Sequence, residues 1–312
     1  MTVASGNEAA GPERPKREAA RSTPEALAQA RGGAREGLDW LGRQPESRAG
    51  ILVRALELVG RIVLFGIFRF RIQATGRELL PAAGGYLLVA AAHRGWMDPF
   101  LVLHAVPLEP RVWFLGSGPA AFTPRWRERF LHRLGGILPV WRGGVGIEPH
   151  VAAARAVLAN GGVFLMMPEG GISGPPDRIA AFRYGSALIA LRTGAPIVPL
   201  ALAGTQELYI GKRMASQIMP PTSLRELLGP DWNGIVPAEG SRAELDLAHA
   251  VTDRLEALFE PVIPVLYATT IDPPGHPRRL RRLTWLLGGR PRRTPNRTNA
   301  QADDARADDA QG

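Results

Sequence analysis

A chain of 312 residues, 45% of them hydrophobic, can bury a sizeable core in one large domain or two small ones, which excludes a chain disordered throughout. Its formal charge of +9 is carried almost wholly by arginine, Lys16 and Lys212 being the only lysines, and favours polyanionic surfaces such as nucleic acid, anionic lipid or phosphate-bearing substrates. With no cysteine, disulfides, thiolate metal sites and a cysteine nucleophile are excluded.

Residues 1–48 are charged, broken by Pro12, Pro15, Gly32 and Gly33, and too poor in apolar residues for a core. They read as a disordered leader. No apolar secretion segment is seen there, so the working parts are expected at the cytoplasmic face. Residues 50–70 are the most apolar stretch, about long enough to cross a bilayer. Arg54, Glu57 and Arg61 interrupt it at spacings of three and four, which places them on one helical face. A charged stripe beside a broad apolar face predicts a helix lying in the membrane interface. The plain alternative is a core helix packed on a sheet.

From residue 85 strands and helices alternate. Strands are predicted at 86–92, 111–117, 137–141, 162–167 and 196–204. Helices are predicted at 98–106, with Asp98 as its cap and Pro99 at its first position, and at 125–135, 148–161 and 182–194. This order predicts an α/β domain with a largely parallel or mixed sheet. Residues 205–240 are punctuated by Pro and Gly and resist assignment. An amphipathic helix follows at 241–260, with Ser241 as cap and Glu244 three later. The domain is expected to span 49–265. Residues 266–312 read as a mostly disordered tail, basic and then acidic. Its mixture of Arg, Leu and Trp at 277–293 suits an anionic lipid surface, and no nucleic-acid fold signature accompanies it.

His93 stands just beyond the first buried strand, and Asp98 opens the next helix. A turn of that length can fold the carboxylate back onto the imidazole, the geometry of a general base held in one tautomer. The plain alternative is a loop histidine and a helix cap. Directly after the strand 162–167, Glu169, Gly170, Gly171 and Ser173 form a Gly-rich loop where open α/β sheets hold ligands. Arg142 follows a short strand, and Arg183 is placed at a helix start, where an anion would be favoured.

Taken together, these blocks resemble the glycerolipid acyltransferases of the 1-acylglycerol-3-phosphate (lysophospholipid) type. That family carries His-x4-Asp, Gly-x-x-Phe-x-x-Arg, Phe-Pro-Glu-Gly-Thr-Arg-Ser and a Val-Pro strand. His93 and Asp98 match the first block, and Gly136 and Arg142 the second, with Pro139 at its aromatic position. Pro168, Glu169, Gly170 and Ser173 match the third, with Met167 for its phenylalanine. Val198 and Pro199 match the fourth, and Phe182, Arg183 and Gly185 the Phe-Lys-x-Gly that often follows the third. The family's third-block arginine, expected to help hold an acceptor phosphate, falls at Ile172, and its threonine at Gly171.

The resemblance implies a mixed, mostly parallel sheet flanked by helices, behind an N-terminal interfacial helix. It implies acyl transfer from acyl-CoA or acyl carrier protein to a lysophospholipid hydroxyl in phospholipid biosynthesis, with no metal or other cofactor. His93 and Asp98 would be catalytic. Arg142, Glu169, Gly170, Gly171, Ser173 and Arg183 would bind substrate, and the expected partners are substrates and a membrane surface, not nucleic acid. Two other readings stay open: a glycolipid or other phosphate-free acceptor, and a non-catalytic lipid-binding protein.

Overall fold

The apolar runs at 86–91, 163–166 and 197–203 become adjacent parallel strands, since an interior parallel strand is covered on both faces. The computed structural model describes residues 50–117, 136–140, 147–172 and 174–285. In chain order these give α1 (Ile51–Arg61), β1 (Arg71–Thr75), β2 (Tyr86–Ala91), α2 (Asp98–Ala105), β3 (Val112–Ser117), β4 (Ile137–Val140) and α3 (Glu148–Ala159). There follow β5 (Val163–Met166), α4 (Gly185–Thr193), β6 (Ile197–Ala203), β7 (Arg213–Ile218), α5 (Leu224–Leu228), α6 (Arg242–Phe259) and α7 (Val262–Ala268).

The seven strands lie in the order β1-β7-β6-β2-β5-β3-β4, with β6 and β7 antiparallel and the other pairs parallel. The expected mixed, mostly parallel sheet is therefore present. Alternation along each strand divides the core in two. Leu87, Val89, Phe164 and Ala201 face one cluster, with residues of α3, α4, α6 and α7. Leu88, Ala90, Leu165 and Leu200 face the other, with Leu101 and Val102 of α2. Pro199 is tolerated in a central strand for a local reason. Its carbonyl accepts from Met219 N–H, so its missing donor faces β7 just beyond the last paired residues, Leu200 and Ile218.

Several expectations are corrected. The apolar run 50–70 is not one helix: α1 ends at Arg61, a π-helical turn covers Ile62–Ile67, and Arg69 takes a left-handed φ of 53°. The turn is needed because Phe70 is buried against the sheet immediately before β1. Among the described residues no helix is long and apolar enough to cross a membrane. The unassigned stretch 205–240 holds β7 and α5, and α5 is closed by a reciprocal capping box between Ser223 and Glu226. The domain does not stop at 265, because α7 continues to Ala268 and residues 276–285 pack back onto the body. The leader 1–48, the predicted helix 125–135 and the tail from 286 lie outside the described residues.

Candidate active site

Three adjacent strands, β6, β2 and β5, run parallel, so their carboxyl ends open on the same edge of the sheet. The loops that leave them carry the site. After β2, Ala92 adopts a φ of 70° and turns the chain out of the sheet, and His93 follows.

Asp98 begins α2, but it does not cap the helix as expected. Met97 occupies the cap position, with no side-chain cap bond. The Asp98 carboxylate turns back into the 93–95 turn instead. Its Oδ2 accepts from His93 Nδ1 at 2.5 Å, Arg94 N–H at 2.7 Å and Gly95 N–H at 2.8 Å. Its Oδ1 accepts from the buried Thr205 hydroxyl, delivered by the loop after β6. An ionised carboxylate only accepts, so Nδ1 carries the hydrogen and the basic lone pair lies on Nε2. Among the described residues Nε2 has no partner. The Asp98 side chain is 0% exposed and that of His93 17% exposed, so the acid is sealed while an edge of the imidazole reaches solvent.

Glu169 arrives from the loop after β5. It was expected to contact substrate, but its carboxylate faces inward and is filled by internal donors. Oε1 accepts from Ala92 N–H (3.2 Å) and Ala180 N–H (3.1 Å). Oε2 accepts from His93 N–H (3.0 Å) and Arg94 Nη1 (2.6 Å). Arg94 also donates to the carbonyls of His93, Pro175 and Arg178. One buried ion pair thus ties the histidine's own backbone to the third-block loop.

Gly170 has a φ of 69°, and its N–H donates to Met167 O at 3.0 Å. A Cβ there would stand 2.5 Å from Arg183 Nε, so only glycine lets the Arg183 side chain lie across the loop. The structure therefore brings Gly170 and Arg183 together. Arg183 lies two residues before α4 rather than in its first turn, and is exposed. Its N–H donates to Pro168 O, and among the described residues its guanidinium has no carboxylate partner. Gly171 is half-buried, and Ile172 beside it is 58% exposed. Arg142 and Ser173 lie outside the described residues.

Sequence reasoning missed Arg94, Trp96 and Thr205. Arg94 and Trp96 lie inside the His-x4-Asp segment, whose intervening positions carry no chemical signature. Thr205 had one faint signal, a hydroxyl just beyond the Val-Pro strand. Among the described residues no group of three or more His, Asp or Glu side chains could hold a metal ion.

The family model described as Acyltransferase matches residues 71–203, from β1 through β6, with His93, Asp98, Glu169 and Arg183 inside the span. The crystal structure of the 1-acyl-sn-glycerophosphate (LPA) acyltransferase PlsC from Thermotoga maritima matches 66% of this chain and 79% of that one, at 21% identity and a TM-score of 0.43. None of the curated proteins matches the chain.

Proposed function

We propose that the chain, whose residues 71–203 match the Acyltransferase family model, moves a fatty acyl chain from acyl-CoA or an acyl carrier protein to the hydroxyl of a lysophospholipid such as 1-acylglycerol-3-phosphate. The observation that carries this reading is the 2.5 Å contact between His93 Nδ1 and a fully buried Asp98, which leaves the free lone pair on Nε2 of a ring that is partly exposed.

His93 Nε2 takes the proton of the acceptor hydroxyl as its oxygen attacks the thioester carbonyl. Asp98 fixes the ring and stabilises the imidazolium. The carbon–sulfur bond then breaks, and the thiolate takes its proton from His93. Arg183 lies at the same loop and offers an exposed guanidinium to a phosphate of donor or acceptor. Glu169 acts from behind, by holding the His93 backbone. The exposed apolar residues Ile51, Leu58, Val59, Ile62 and Ile67 support contact between the α1 segment and a lipid surface, where both acyl chains dissolve.

One observation favours a second acceptor class. Where the resembling family has a phosphate-holding arginine, this chain exposes Ile172. An apolar group at that point suits a glycolipid or other lipid alcohol without phosphate.

The test is thiol release from palmitoyl-CoA by purified protein, with and without lysophosphatidic acid, beside His93→Ala. Acceptor-dependent release lost in the variant supports the phosphate-bearing acceptor. Release only with a phosphate-free lipid alcohol selects the second reading. A His93→Ala protein that keeps more than about a tenth of the wild-type rate rejects the general-base role, since such catalysis contributes roughly 10²–10⁴-fold.

A further inference from the structure

Besides Glu169, two supports hold the His93–Asp98 pair. One is the 93–98 turn itself, which carries Trp96. The other is the loop after β6, which delivers the Thr205 hydroxyl to Asp98. A single segment near the C-terminus is bonded to both.

Trp96 Nε1 donates to Leu283 O at 2.9 Å. Leu283 is buried in the same apolar cluster as Met97 and Leu101, on either side of Asp98 in the chain. The next residue, Thr284, grips the other support: its Oγ1 accepts from Leu208 N–H at 2.9 Å and donates to Leu208 O at 3.3 Å. Glu207 in that loop pairs with Arg278 at 3.0 Å and with Arg281. The strap thus crosses from the Thr205 loop to the catalytic turn through three kinds of contact.

We propose that residues 278–285 are a positioning strap for the catalytic pair, and that Trp96 and Thr284 are the positioning residues through which it acts. None of these groups touches the reacting atoms. The strap acts by fixing the distance between the two supports, and so the direction in which Asp98 holds the imidazole. Reaction rates are sensitive to such placement, a misplacement of about 1 Å being able to cost on the order of a hundredfold. The inference rests on the reading that His93 and Asp98 carry the reaction.

The experiment uses the full chain with Trp96→Phe, Thr284→Val and the double variant, beside Thr284→Ser and His93→Ala. We expect kcat to fall about tenfold in each single variant, in keeping with a modest displacement of the pair. KM for the thioester stays within about twofold, and the pH dependence of kcat shifts, because the ring is no longer held by Asp98 in the same way. The double variant falls little further, since both changes cut one link. Thr284→Ser keeps the hydroxyl and restores the wild-type rate and pH profile. A purely structural strap would instead lower the active fraction and leave the pH profile of kcat untouched, and that outcome overturns the proposal. So does an unchanged kcat in Trp96→Phe and Thr284→Val while His93→Ala is inactive. Activity that survives in His93→Ala rejects the catalytic reading, and the strap inference with it. Should Trp96→Phe fail to fold, the comparison of Thr284→Val with Thr284→Ser decides alone.

Discussion

Arg94 Nη1 lies 2.6 Å from Glu169 Oε2, and both side chains are sealed from solvent. Removing either partner leaves a charge buried without its counter-ion, which typically costs about 3–5 kcal/mol. Arg94→Met is therefore expected to destabilise the fold by that order, as read from urea unfolding. Arg94→Met with Glu169→Met recovers a large part of the loss, because no unpaired charge remains. Activity does not recover in the double variant, since His93 N–H has lost its carboxylate acceptor.

Thr205→Val keeps the side-chain shape and removes the donor to Asp98 Oδ1. A hydrogen bond to a charged group contributes about 1.5–3 kcal/mol. We expect kcat to fall at least about tenfold, that being the rate equivalent of 1.4 kcal/mol. Thr205→Ser restores it. Steady-state kinetics at saturating thioester check this, and a wild-type kcat in Thr205→Val removes Thr205 from the machinery.

Gly95 is needed for close approach. A Cβ at this position would stand 2.6 Å from Thr205 O, a backbone atom that cannot swing aside. Gly95→Ala is expected to push the 93–98 turn away from the β6 loop and to destabilise by about 1–3 kcal/mol. Thermal unfolding and kcat should both drop. Gly161→Ala provides a comparison in open space, strained only by its left-handed φ of 68°.

Glu244 gives the fold an acid sensitivity away from the site. Glu244, on α6, takes two hydrogen bonds from Arg192, and this holds its carboxyl below the usual range. A depressed folded-state value means that the contribution is full above the ordinary carboxylate range and is lost as pH falls through the lowered value. Glu244→Gln should therefore flatten the acid limb of the stability curve. It should also lower stability at neutral pH by about 3–5 kcal/mol, because Arg192 is then left buried with fewer counter-charges. Denaturant midpoints from neutral to acidic pH check both effects.

Lys212 predicts a further rise of stability with pH, this time in the alkaline range. Burial, with a smaller effect of Arg278, pushes its ammonium down to about 8 from the ordinary 10.5. The folded state then releases this proton before the unfolded chain does, so stability from this group rises as pH climbs from about 8 towards 10.5. Lys212→Met should remove the rise. Comparing both proteins below pH 10 avoids Tyr86, whose phenol burial pushes up to about 12, so that the unfolded chain ionises first above 10. Equal slopes for the two proteins between pH 8 and 9.5 would count against a charge cost at Lys212.

Much of the fold was legible because its signals are local. Buried parallel strands must be apolar on both faces, so the runs at 86–91, 163–166 and 197–203 announced themselves. The cap at Ser241 was equally plain, since Glu244 N–H donates to its hydroxyl as the spacing required. β1 and β7 were not legible. β1 is a short edge strand with only alternating partial burial, and β7 pairs antiparallel from within a Pro-rich stretch that carries turn signals at both ends.

By itself the sequence determined which groups could do chemistry. His93, Asp98, Glu169 and Arg183 were visible because few residue types can move a proton or hold an anion, and because their spacing follows a recognisable order. What each one does was decided by tertiary structure. Glu169 turned inward to hold the His93 backbone, and Asp98 folded back onto the turn instead of capping its helix. Arg94, Thr205 and Thr284 joined the site's support from positions 1, 112 and 191 residues beyond His93. The physical reason is that a hydrogen bond requires atoms about 3 Å apart in space. The β6-β2-β5 neighbourhood that supplies that proximity is set by the packing of whole strands and is written in no single segment.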